Sequence, residues 1–157
     1  MADAVLVERT VVTRDAAETR VLGGRLASVA RAGDLVCLVG ELGAGKTQLA
    51  KGFAAGLGIT DVVNSPTFVL MSEYEGRVRL FHLDLYRIAD ARDAFAGGLV
   101  DERQADGVTL IEWAERLGDA TPTGRLDVIF EGSGDAPRMI RLRPRDAAHE
   151  RYLEAIS

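Results

Sequence analysis

The chain has little with which to staple or anchor itself. A single cysteine, Cys37, cannot close an internal disulfide, which excludes the cross-linked folds of small secreted domains. No apolar run approaches the roughly 20 residues that span a bilayer. The opening Met1-Ala2-Asp3-Ala4 lacks the basic stretch and apolar core of a secretory leader. The expectation is a cytoplasmic protein with no membrane part and an inert, buried thiol. Positive charge is also short. Nineteen Lys and Arg against 24 Asp and Glu leave a net charge of −5, which argues against broad binding to a phosphate backbone. If nucleic acid is involved, a partner should hold it. The local exception is Arg138, Arg141, Arg143 and Arg145, which alternation along a strand would place partly on one solvated face. No repeat, low-complexity tract or linker breaks the 157 residues, a length that predicts one domain over 1–157.

What the chain does have is Gly40-Glu41-Leu42-Gly43-Ala44-Gly45-Lys46-Thr47, a full match to the loop that wraps nucleotide phosphates. Its flanks fit. Asp34 to Val39 reads as a buried parallel strand, and Thr47 to Leu57 as a helix. Glycines at 40, 43 and 45 allow positive φ and bring backbone N–H groups to phosphate oxygens, with the helix dipole aimed at the same anion. Lys46 would reach the β- and γ-phosphates, and the Thr47 hydroxyl would take one position on Mg²⁺. Glu41, Gly43, Ala44, Gly45, Lys46, Thr47 and Gln48 are therefore the expected nucleotide-binding residues.

Val5 to Val12 reads as an opening strand, with Thr13 as N-cap of a helix from about Asp15 to Ala30. Ala17, Val21, Leu22, Leu26 and Val29 form its apolar stripe. After the second helix, Asn64-Ser65-Pro66-Thr67-Phe68 is a polar loop leading into a strand from Val69 to Tyr74. Glu75-Gly76-Arg77 is a hairpin turn into Val78 to Leu83, an antiparallel pair that departs from a pure βαβ plan. Asp90 to Gly98 reads as partly helical, Val108 to Ile111 as a buried strand, and Leu126 to Glu131 and Met139 to Leu142 as two strands joined by a turn over Gly132 to Asp135. Ala147 to Ile156 reads as a short terminal helix. The fold expected is α/β: a P-loop NTPase domain with a mixed, mainly parallel central sheet flanked by helices and an antiparallel strand pair.

A phosphate loop needs a carboxylate at the end of a neighbouring strand, because the metal bridges β- and γ-phosphates. Asp84, after Leu80-Phe81-His82-Leu83, and Glu112, after Val108-Thr109-Leu110-Ile111, both qualify, and the residues alone leave the choice open. His82 by itself reads as a hydrogen-bonded structural histidine. Trp113, the only tryptophan, suits a nucleotide stack, a partner contact or the core rim.

The phosphate loop, Asn64-Ser65-Pro66-Thr67-Phe68, His82-Leu83-Asp84-Leu85-Tyr86-Arg87 and Ile111-Glu112-Trp113 together resemble the TsaE family, in order and approximate spacing, over residues 33–117. That family is the small bacterial P-loop ATPase used in making threonylcarbamoyladenosine on tRNA. The resemblance implies that Gly43, Gly45, Lys46 and Thr47 bind phosphate and metal and that Glu112 joins Thr47 at Mg²⁺. It makes Asp84 the catalytic or water-positioning acid and Ser65-Pro66-Thr67 a switch-like loop in which Thr67 also addresses the reacting water. It further implies ATP as substrate and TsaB-like and TsaD-like partners that carry the transfer chemistry, with tRNA reached only through them. Arg138 is a further nucleotide contact, Thr13 and Ala16 border the base, and Arg87 is either an arginine finger or a surface ion pair. Two other functions use the same loop: a small-molecule kinase, which needs an arginine-bearing lid where the stretch from Asp90 to Arg103, with Arg92 and Arg103, is short for a lid plus pocket, and a nucleotide-gated binding module with little hydrolysis. The chain has no Asn-Lys-x-Asp base-recognition motif, which leans towards adenine.

Overall fold

Five consecutive apolar residues, Leu35 to Val39, form the strand around which the sheet is built. The computed structural model describes residues 7–41, 43–63, 71–86 and 105–156. In chain order they give β1 (Arg9–Thr13), α1 (Ala16–Ala27), β2 (Leu35–Val39), α2 (Lys46–Gly56), β3 (Met71–Tyr74), β4 (Arg79–Asp84), β5 (Gly107–Glu112), β6 (Leu126–Glu131) and β7 (Arg138–Pro144). A 3₁₀ stretch, Ala114–Ala120, follows β5, and the turns Ala147–His149 and Arg151–Glu154 follow β7. The seven strands join one sheet in the order β1-β7-β6-β2-β5-β4-β3. β6, β2, β5 and β4 pair in parallel. β3 and β7 run against the other strands, through antiparallel pairing of β3 with β4 and of β7 with β6 and β1.

Burial follows from the layering. β5 is buried at every position because it lies inside the parallel sheet with both faces covered. Leu22, Leu26, Leu49 and Phe53 of the two helices meet Val36, Leu38, Leu110 and Val128 on one face. Cys37, Phe81, Leu83 and Ile111 meet Ala114 and Leu117 of the 3₁₀ stretch on the other. Burial pushes the Cys37 thiol up from 9.0 to about 12, so it stays protonated and inert, as the sequence predicts.

The helices approach each other through glycine. A Cβ on Gly52 of α2 would lie 1.9 Å from the Arg20 carbonyl oxygen of α1, and one on Gly23 would lie 2.3 Å from Leu49 O. This close crossing seats α1 on Thr19, Leu22, Gly23, Leu26 and Ala27. The predicted stripe is therefore corrected. Leu22 and Leu26 are buried, but Ala17 and Val21 face solvent, because the glycines rather than the bulky residues mark the contact. The cap is corrected as well. Asp15 is the N-cap, its carboxylate accepting from Glu18 N at 2.8 Å. Thr13 ends β1 instead, buried, with its hydroxyl 2.8 Å from that of Thr19. The helix stops at Ala27, and the strand before it begins at Arg9; Val5 and Leu6 lie outside the described residues.

The hairpin β3–β4, the turn between β6 and β7 and the terminal helical turns stand where the sequence places them. The last of these is tied to the start of β2. Asp34 accepts from Tyr152 Oη at 2.5 Å and from Arg151, and the Leu35 N–H donates to His149 Nε2 at 3.1 Å. The fold thus clamps β2 at its N-terminal end and leaves its C-terminal end for the loop.

Candidate functional site

The loop 40–47 leaves β2 and enters α2 through Gly45, whose φ of +105° is a left-handed conformation open to glycine and costly for other residues. The N-cap, Gly45, has no side chain with which to cap α2. Its first-turn amides are therefore left for an anion at the positive end of the helix dipole. The loop is also held from behind. Arg138, the first residue of β7, donates to the carbonyls of Ala44 and Gly43, each at 3.1 Å, and to Gly134 O at 2.9 Å. Carbonyls drawn towards that guanidinium leave the amides of the same peptides facing the other way.

Lys46 is 4% exposed. Its ammonium donates to the carbonyls of Gly40 and, at 3.3 Å, Glu41, and sits 3.6 Å from the centroid of the Trp113 ring. Burial holds the Lys46 pKa below its ordinary value, while the charges of Glu115, Glu112 and Asp84 pull it back up. Trp113 has φ +59°, the only positive φ among described residues other than glycine. This turn directly after β5 sets the ring beside Lys46 and 4.8 Å from the Tyr86 ring.

The parallel register of β4 and β5 pairs Asp84 with Glu112 at the ends of the two strands. Glu112 is 2% exposed. One of its oxygens accepts from the Thr47 hydroxyl at 2.9 Å, and the other lies 2.6 Å from His82 Nε2. Asp84 accepts the Tyr86 N–H at 2.9 Å. Lys46, Thr47, Gln48, Asp84, Glu112, Gly43 and Gly45 line one cavity of about 380 Å³, with Tyr86 and Trp113 at its edge. A second cavity, of about 300 Å³, shares Gly43, Gly45 and Gln48 and continues past Arg14, Asp15, Ala16, Thr19, Asp135 and Arg138.

The structure therefore gathers Gly43, Gly45, Lys46, Thr47, Gln48, Asp84 and Glu112 around one hollow, and sets Arg138 and Ala16 at its continuation. Ala44 is buried and contributes its carbonyl to Arg138, whereas Glu41 borders a separate hollow with Gly40, Trp113, Glu115 and Phe130. Thr13 borders neither cavity. Thr67, Ser65, Arg87, Arg92 and Arg103 lie outside the described residues. Of the C-terminal arginines, Arg141 and Arg143 pair with Glu8, and Arg141 also with Glu131, the solvated face predicted for them. Sequence reasoning missed three contacts: Arg138 behind the loop, Trp113 against Lys46, and the His82–Glu112 pair. The last was within reach, since His82 and Asp84 share a face of β4 by alternation and Asp84 pairs with Glu112.

The donor set is of hard oxygens, a hydroxyl and a carboxylate, which suits Mg²⁺. Among the described residues no group of three or more His, Cys, Asp or Glu could hold a metal.

Comparison with known proteins identifies a family. The family model described as "Threonylcarbamoyl adenosine biosynthesis protein TsaE" matches residues 13–140. A Bacillus subtilis protein named "tRNA threonylcarbamoyladenosine biosynthesis protein TsaE" is 40% identical over 141 residues, covering 89% of this chain and 88% of the relative. A Streptomyces coelicolor protein of the same name is 44% identical over 140 residues, covering 87% and 95%. The crystal structure of Bacillus subtilis YdiB superposes with a TM-score of 0.78 at 33% identity, covering 97% of this chain and 95% of that one.

Proposed function

The chain belongs to the TsaE family, and from that premise we propose that it is the Mg²⁺-dependent ATPase of tRNA N6-threonylcarbamoyladenosine modification, acting on a TsaB/TsaD-like complex. The observation that carries the reading is the Thr47–Glu112 pair at 2.9 Å beside Lys46, at the mouth of an uncapped helix N-terminus.

In this reading the amides of Gly43 and of Gly45 to Gln48, with the Lys46 ammonium, bind the phosphates, while the Ala44 N–H donates to Glu41 O within the loop. Lys46 must exchange its carbonyl and indole contacts for phosphate oxygens. Thr47 and Glu112 would hold Mg²⁺, which neutralises charge on the β- and γ-phosphate oxygens when bound. Asp84, one strand from Glu112, and Thr67 orient the water that attacks in line. The second cavity, between the start of α1 and the turn before Arg138, would take the nucleoside, with Arg138 beside it.

Partners complete the cycle, so turnover by the chain alone is expected to be slow. The reading keeps tRNA on those partners, because the net charge is −5 and Arg141 and Arg143 are spent on Glu8 and Glu131. A cytoplasmic setting belongs to the same proposal. The one thiol is buried in β2, and no described helix is long and apolar enough to cross a membrane.

The test is phosphate release from ATP by the purified chain, alone and with TsaB-like and TsaD-like proteins, with Lys46→Ala and Glu112→Ala as controls. Stimulation by the partners that both substitutions abolish is the expected result. Partners that neither bind nor change turnover would overturn the complex-driving role. A phosphorylated small molecule with no free phosphate would replace it with kinase activity.

A further inference from the structure

His82 is 0% exposed in the middle of β4, on the face it shares with Leu80, and its register partner on β5 is Leu110. An aliphatic side chain would serve the packing there at no polar cost. The imidazole instead has one nitrogen, Nε2, 2.6 Å from Glu112 Oε2, and the other, Nδ1, buried with no hydrogen-bond partner among the described residues. A histidine kept only for structure is expected to satisfy both nitrogens, so a buried orphan asks for a reason on the other side of the ring.

At 2.6 Å from a carboxylate oxygen, Nε2 carries a proton and donates to Glu112, because without it two lone pairs would face each other. Glu112 Oε2 is thereby held by an N–H while Oε1 is turned to the Thr47 hydroxyl.

The geometry points to His82 as a positioning residue for Glu112. It fixes the carboxylate in one orientation, so that Oε1 and Thr47 Oγ1 form a ready-made pair of oxygens for Mg²⁺. This rests on the Mg²⁺ reading of Thr47 and Glu112 given above. What His82 then controls is the concentration of Mg²⁺ at which ATP is bound in the metal-dependent mode, rather than the bond-breaking step. Outer partners of this kind typically change metal affinity by about 10- to 100-fold when removed.

Two measurements test it. The first uses ¹⁵N-labelled protein without nucleotide. His82 Nε2 should carry a proton hydrogen-bonded to the Glu112 carboxylate, whereas His149 Nε2 accepts the Leu35 N–H. A bare Nε2 on His82 would overturn the proposal.

The second is calorimetric titration of ATP at stepped Mg²⁺ into wild type, His82→Gln, His82→Asn and His82→Leu, each checked for native unfolding behaviour. Gln carries a donor near the Nε2 position and should stay close to wild type. Asn, whose amide falls short, and Leu should need about tenfold or more Mg²⁺, with ATP binding in EDTA unchanged. Folded Asn or Leu proteins with wild-type Mg²⁺ dependence would overturn the positioning role. Should Leu fail to fold, the Asn and Gln proteins carry the comparison. Wild-type protein that binds ATP identically with and without Mg²⁺ would overturn the metal reading itself, and is recognised without any variant.

Discussion

Asp84 and Glu112 are register partners at the ends of adjacent parallel strands, yet they take different neighbours: Glu112 holds the Thr47 hydroxyl at 2.9 Å and Asp84 the Tyr86 amide at 2.9 Å. On the proposed reading the two carboxylates have separable roles. Glu112→Gln should raise the Mg²⁺ requirement for ATP binding. Asp84→Asn should leave that requirement near wild type and lower turnover by about 100-fold or more, the scale of a lost water-orienting base. Steady-state hydrolysis measured across a Mg²⁺ series separates the two. Equal effects of both substitutions on the Mg²⁺ midpoint would refute the division.

Arg138 fastens the loop from its outer side, through the carbonyls of Gly43 and Ala44. Its removal should loosen the amides presented to phosphate. A hydrogen bond to a charged group is worth about 1.5–3 kcal/mol, so Arg138→Ala should weaken ATP binding by about tenfold or more. Lysine should restore little, since one ammonium cannot reproduce a fork that reaches several carbonyls. Calorimetry of ATP binding to both variants checks this.

Gly52 and Gly24 are both helical, and alanine should act on them in opposite directions. At Gly52 the new methyl would meet the Arg20 carbonyl at 1.9 Å, backbone that cannot swing aside. The helices must part, and a loss of about 3 kcal/mol or more is expected. At Gly24 the nearest atom is Gly52 O at 3.6 Å, ordinary contact. There alanine should stabilise by about 0.5–1 kcal/mol through reduced freedom of the unfolded chain. Urea unfolding of the two variants gives the comparison directly.

Cys37 has its pKa raised from 9.0 to about 12 in the folded protein. The unfolded chain therefore sheds the thiol proton first as pH rises. Stability from this group is fully present below pH 9 and falls by about 1.4 kcal/mol per pH unit above it, until the folded thiol also ionises near 12. At pH 8 the native protein should resist iodoacetamide, while protein in denaturant is alkylated. Rapid native alkylation would show that β2 opens locally.

The phosphate loop was legible because its chemistry leaves few residue choices: three glycines, a lysine and a hydroxyl between an apolar run and a helix. The strands were legible from β-branched and apolar runs between turn residues. The α1–α2 contact was not. It is made where side chains are missing, at Gly23 and Gly52, and a reading that follows bulky residues assigns Val21 to a core it does not enter. Asp15 caps the helix where the sequence reading names Thr13, because Thr13 is the last residue of β1 and its hydroxyl is turned to Thr19. Arg138 was legible as a candidate but not as a brace, since its partners lie more than 90 residues away in sequence. Strand order at long range is of the same kind, because β1 finds its place only through β7.

β2 carries the loop, yet nothing made before it pairs with it: its neighbours are β5 and β6, and its starting residue is gripped by Tyr152 and Arg151. On the ribosome the loop and α2 emerge long before the strands that hold their base. A nascent chain can display the whole phosphate-binding motif and still have no rigid floor beneath it. On the proposed reading, a nucleotide therefore meets a firm site only once synthesis has passed β6 and the clamp residues.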